Sequence, residues 1–140
     1  MLIVFVLMFV LINVYETRSN FTLKDYFTGD YCYYTKEDVS ANSQNLGFAY
    51  LNVGTQLNKS SKVLVGESVS VKNLEIESAL KSLKAKVVKT EYLDDGTIVI
   101  YAYTKLINKQ VQVDNKFVNI QIAEKDGNSV VGWPLILGSF

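Results

Sequence analysis

Two Asp-Gly dipeptides, Asp95-Gly96 and Asp126-Gly127, each stand between runs rich in β-branched and aromatic residues. Asp-Gly supplies the positive backbone φ that a tight hairpin turn requires. The flanking runs have the composition of strands: Val87 to Leu93, Thr97 to Leu106, Phe117 to Glu124 and Ser129 to Trp133. A further short run, Val111 to Val113, turns at Asp114-Asn115-Lys116. The second half of the chain is therefore predicted as an antiparallel meander. Upstream, Phe48 to Val53 and Val63 to Val71 are β-prone and are separated by the turn-like cluster Asn58-Lys59-Ser60-Ser61. Pro134 lacks an N–H and marks a strand end or an edge.

One stretch has helical rather than strand periodicity. Ile76, Ala79, Leu80 and Leu83 repeat at i, i+3, i+4, i+7 and make one apolar stripe. Asn73 is a good N-cap residue, with Glu75 and Glu77 early and Lys81, Lys84 and Lys86 late, the order that complements the helix dipole. Glu77 and Lys81 are four apart in the favourable direction. The spacing predicts a helix over 74–85, lying on the sheet, with Leu80 and Leu83 as its main anchors.

Period-two alternation assigns faces. Ile98, Ile100 and Ala102 share one side with Val118, Ile120 and Ile122, and this aliphatic side is expected to meet the helix. The opposite side then carries Tyr101, Tyr103, Asn119 and Gln121, an aromatic-plus-amide face able to bind a sugar or a peptide. The same pattern also fits a solvated face, or one covered by residues 16–45, a polar Tyr-rich segment.

The chain opens on an unbroken apolar run, Met1 to Ile12. A membrane-spanning helix needs about 20 apolar residues and a signal-peptide core about 7–15. Residues 1–15 are therefore expected to act as a signal peptide or membrane anchor, residues 16–46 as a stalk or covering segment, and residues 47–140 as the folded domain outside the cytoplasm. Partners expected on this reading are the membrane, through residues 1–15, and an envelope protein or glycan.

Composition excludes more than it selects. There is no histidine, so Ser-His-Asp and Cys-His catalysis and imidazole-built zinc sites are ruled out. Fourteen basic residues balance fourteen acidic ones, which leaves no overall basic field for nucleic acid. Cys32 is the one cysteine, so no intrachain disulfide forms, and its tyrosine neighbours predict burial among aromatics. Gly54 to Ser60 superficially resembles a phosphate loop, but the Gly required before the Lys is Asn58. Asp94-Asp95 reads as turn chemistry, since Gly96-Thr97-Ile98 adds none of the further oxygen ligands a calcium loop needs. A glycosidase pair of carboxylates is not visible as a motif. The expectation is a non-enzymatic domain with no cofactor and no metal.

The closing stretch Val118-Asn119-Ile120-Gln121-Ile122-Ala123, followed by Val131-Gly132-Trp133-Pro134-Leu135-Ile136 and the terminal Phe140, resembles the end of the YwmB-like family of Gram-positive, often spore-forming bacteria. The likeness extends over residues 66–140. It implies an exported protein with a fold similar to the TATA-box-binding protein, a curved antiparallel sheet with helices on one side, and no established activity. Together these readings predict an α+β domain: one antiparallel sheet, one main helix on one face, and an apolar N-terminal segment before it.

Overall fold

The computed structural model describes residues 21–36, 44–46, 50–53 and 64–136. The readings on residues 1–15, on the phosphate-loop look-alike and on Phe140 lie outside the described residues. Within them the chain is α+β, an antiparallel sheet with one α-helix. The strands are β1 (Asp30–Thr35), β2 (Gln44–Asn45), β3 (Tyr50–Val53), β4 (Leu64–Lys72), β5 (Lys86–Tyr92), β6 (Ile98–Tyr103), β7 (Val111–Val113), β8 (Lys116–Val118), β9 (Ile120–Lys125) and β10 (Asn128–Trp133). Eight of them form one sheet in the order β2-β3-β1-β4-β10-β9-β6-β5, and β7 and β8 form a separate ribbon. All pairings are antiparallel.

The two Asp-Gly turns lie where the sequence puts them. Asp126 and Gly127 have φ of 52° and 80° and join Lys125 to Asn128, the two-residue geometry that holds β9 to β10. Asp95 Oδ1 accepts the Thr97 N–H at 2.9 Å, which closes the β5–β6 turn and holds that carboxyl below its usual range.

Residues 16–46 are not simply a stalk or cover. Asp30–Thr35 is an interior strand, paired with β3 on one side and β4 on the other. The described part of the domain thus begins by Phe21. The cause is legible afterwards: Tyr31 and Tyr33 alternate onto the core face and are buried there. A 3-10 helix, Leu23–Asp25, precedes β1; Thr22 caps it and Leu23 is fully buried.

The helix α1 spans Ile76–Ser82, shorter at both ends than 74–85. Asn73 is not its cap. It adopts φ 54°, in the left-handed region, and its N–H donates to the Gly127 carbonyl at 2.7 Å, so it turns the chain out of β4. An N-cap needs extended backbone, and Glu75 supplies it without a side-chain cap bond. At the other end Lys84 is left-handed, with φ 52°, and the Ala85 N–H reaches back to the Leu80 carbonyl at 2.9 Å. That is the bond pattern of a Schellman stop, here on a lysine instead of glycine. Leu83 is completely buried, while Leu80 is only half-buried against the core.

Cross-strand partners share a face, so the register defines both sides of the sheet. Tyr31, Val69, Val131, Ile122 and Ile100 align across five strands and form the core with Leu23 and Leu83. Cys32, Ser68, Gly132, Gln121, Tyr101 and Lys89 align on the opposite face. Cys32 is therefore half-buried beside Ser68 on that face, not enclosed with Tyr31 and Tyr33. Burial is the main cause raising its thiol above the ordinary range.

Candidate functional site

The four residues of the expected binding face do not form one surface. Asn119 falls at the break between β8 and β9 and is completely buried. Its Oδ1 accepts the Thr104 N–H at 2.8 Å, and its Nδ2 donates to the carbonyls of Thr104 at 2.8 Å and Ile107 at 3.2 Å. It therefore serves as an internal bracket for the loop that leaves β6. Gln121 is also buried; its Oε1 accepts the Ile136 N–H at 2.7 Å, and its side chain hydrogen-bonds Tyr101. Both amides satisfy the protein's own groups and have no place in a ligand face. The described cover over Gln121 is Ile136. The tail residue packs there because Gly132, with no side chain, leaves it room.

Tyr101 and Tyr103 are half-buried. Burial, then the negative charge of Glu91, raises the Tyr101 phenol above its ordinary value. Beside it Lys89 hydrogen-bonds Asp114, in the turn of the β7–β8 ribbon, and also pairs with Glu91 at 2.8 Å. These bonds raise the Lys89 ammonium and hold Asp114 below the usual carboxylate range. The ribbon's turn is thus fastened to the face that carries the tyrosines.

An open groove of about 650 Å³ lies between the start of β5 and the ribbon, lined by Lys86, Val87, Val88, Tyr103, Gln110, Asn115, Lys116 and Phe117. Phe117 is 51% exposed and Val87 44% exposed, unusual for large apolar side chains brought together at one place. Tyr103 is the one residue of the expected face that lines it. Phe117, Gln110 and Asn115 replace the buried amides, and two lysines bracket the apolar floor. Sequence reasoning missed these residues because the ribbon folds out of the sheet, so period-two counting along Phe117 to Glu124 does not carry across the break at Asn119. The turn read at Asp114-Asn115 is there, with φ values of 50° and 64° that make a third tight hairpin turn, between Val113 and Lys116; no residue before Asn119 signals that the ribbon leaves the sheet.

A second depression, of about 520 Å³, lies at the opposite end of the sheet, where Asp30, Lys72, Asp95, Lys125 and Asp126 mix charges of both signs. Asp95 and Lys125 are within 3.5 Å of one another there. Its lining carries four carboxylates, Asp30, Asp95, Glu124 and Asp126, against Lys72 and Lys125, and no aromatic side chain.

No family model, no curated protein and no solved structure matches the chain.

Proposed function

We propose that the chain is a non-enzymatic binding domain of the cell envelope, sent to or through a membrane by residues 1–15, which holds an extended ligand in the Tyr103–Phe117 groove. The groove carries this reading. A concave surface with an apolar, partly aromatic floor and a few polar groups at its rim is the general form of a binding site. Phe117 is half exposed there, beside the half-buried Tyr103. The apolar run Met1 to Ile12 supports the address, and the lack of histidine in the sequence supports a binding role over nucleophilic catalysis. The resemblance of residues 66–140 to YwmB-like proteins supports an exported domain, with a role linked to sporulation as its most specific form.

Fractionation of cells producing the full-length chain tests the address. The expected result is recovery with the membrane or in the medium, with the domain open to externally added protease. A variant lacking residues 1–15 is expected to stay in the cytosol. Recovery of the intact full-length chain as a soluble cytosolic protein would overturn the address.

A further inference from the structure

We propose that the groove takes an acidic peptide segment, its apolar side chains entering between Val87, Val88, Tyr103 and Phe117 while its carboxylates meet Lys86 and Lys116; this rests on the binding-domain reading above. Charge complementarity carries the choice. The lining holds two lysines and no carboxylate, in a chain whose net charge is zero. Neither ammonium has a carboxylate within ion-pair distance among the described residues. Asp114, whose carboxyl also feels the charge of Lys116, is already paired with Lys89. Groups of one sign around a low-dielectric floor favour a ligand of the opposite sign.

The floor selects peptide over sugar. Val87 and Val88 would strip water from sugar hydroxyls and return no hydrogen bond, a cost that an apolar side chain does not meet. Gln110 and Asn115 can serve the backbone of an extended segment, whose side chains alternate between floor and rim at about 3.3 Å per residue. Docking is through these side chains and not by adding a strand to β5. The outer edge of β5 carries Lys86, Lys89 and Glu91 and a register shift between Val87 and Lys89, features that discourage edge pairing.

The test uses the full-length chain in zwitterionic micelles, with the methyl resonances of Val87 and Val88 as the readout. Three probes are compared: a peptide of about nine residues, ~30 Å when extended, alternating Glu and Val around a central Phe; its Lys-for-Glu counterpart; and an oligomer of uronic acid of similar charge. The glutamate peptide is expected to shift these resonances saturably, with affinity falling as salt is raised. The lysine peptide and the Lys86→Glu/Lys116→Glu variant should each bind roughly tenfold more weakly or worse. Lys72→Glu, at the opposite end of the sheet, should leave binding unchanged. Equal affinity for both peptides, or indifference to the double variant, overturns the inference. If the uronate oligomer alone shifts the methyls, the peptide inference falls and the binding-domain reading stands. If no probe shifts them, both fall.

Discussion

Trp133 donates its indole N–H to Oε1 of Glu67 at 2.7 Å, and the carboxylate that receives it is completely buried. Glu67 also accepts the Thr22 hydroxyl at 2.8 Å and the Leu23 N–H at 3.4 Å. One side chain of β4 therefore fastens β10 and the segment leading into β1. Phe21 meets the Trp133 ring edge-on, and the Lys109 ammonium lies 5.8 Å from its centroid while donating to the Leu64 carbonyl. Burial raises the Glu67 carboxyl above its ordinary value of 4.5; the bonds from Thr22, Trp133 and Leu23, and a smaller pull from Lys24, oppose that rise.

The pH dependence follows from the direction of that shift. A carboxyl raised in the folded state holds its proton more tightly there than in the unfolded chain. Its contribution to stability is complete below the unfolded value and is lost as pH rises through the higher folded value. Glu67→Gln keeps an acceptor oxygen for Trp133 and cannot ionise. Its stability relative to the parent chain should therefore increase between about pH 4 and about pH 8, measured by urea unfolding. Glu67→Ala should lose about 1–3 kcal/mol for each donor left without a partner, at either pH. A relative stability of Glu67→Gln that falls across this range would contradict the assignment.

Asn119 provides a second prediction, one that separates a structural from a ligand-binding role. Asn119→Ala leaves the Thr104 N–H and the Thr104 and Ile107 carbonyls without their partner. The expected loss is on the order of 2–4 kcal/mol, at about 1–3 kcal/mol per buried polar group with some relaxation. Asn119→Asp keeps the acceptor and removes the two donated bonds, and should also destabilise. Thermal melts of both variants check this. Melting unchanged within a degree or two, about the resolution expected for a surface substitution, would return Asn119 to the list of ligand residues.

Most strands and turns of the second half were legible because each carries its own local signal, as Asp126-Gly127 does between Lys125 and Asn128, but the break at Asn119 between β8 and β9 was not. In the first half β3 and β4 arise from the runs Phe48 to Val53 and Val63 to Val71, but β1 was not legible. Tyr31 and Tyr33 sit in a polar stretch, and only pairing with β3 and β4 makes Asp30–Thr35 an interior strand. The site was half legible. Tyr103 was identified from alternation, but an amide on the same side as a tyrosine looks the same in sequence whether it faces a ligand or the backbone of a returning loop. Asn119 and Gln121 face the backbone. Glu67, the one charged residue of Val63 to Val71, was the visible anomaly, since a carboxylate on a core face demands donors.

The helix offers a comparison between two leucines of one stripe. Leu83 is fully enclosed, and Leu83→Ala should cost about 2–5 kcal/mol. Leu80 is only partly covered, so Leu80→Ala should cost roughly half as much, in proportion to the apolar area it removes from water. Chemical denaturation of the two variants gives the order directly. A larger loss at Leu80 would mean that the helix is rotated about its axis relative to the described packing.

Gly29 and Gly132 are both crowded, Gly29 more severely and against a different kind of neighbour. A Cβ on Gly29 would stand 2.0 Å from the backbone carbonyl oxygen of Ser70, next to the β1–β4 pairing. A Cβ on Gly132 would stand 2.9 Å from Cγ1 of Ile136, with the Cα and N of that same residue at 3.2 and 3.3 Å, outside the sheet. Backbone inside a sheet cannot retreat without breaking its ladder, whereas Ile136 can shift at the expense of its bond to Gln121. Gly132→Ala should therefore cost about 1–3 kcal/mol, the usual range for overpacking, and Gly29→Ala more than that. The two should also fail differently under hydrogen exchange. Gly132→Ala should expose the Ile136 amide alone, while Gly29→Ala should loosen the amides of β1 and β4 together. Similar protection in both variants would show that the β1–β4 seam tolerates a side chain at position 29, contrary to the close approach of Gly29 to Ser70.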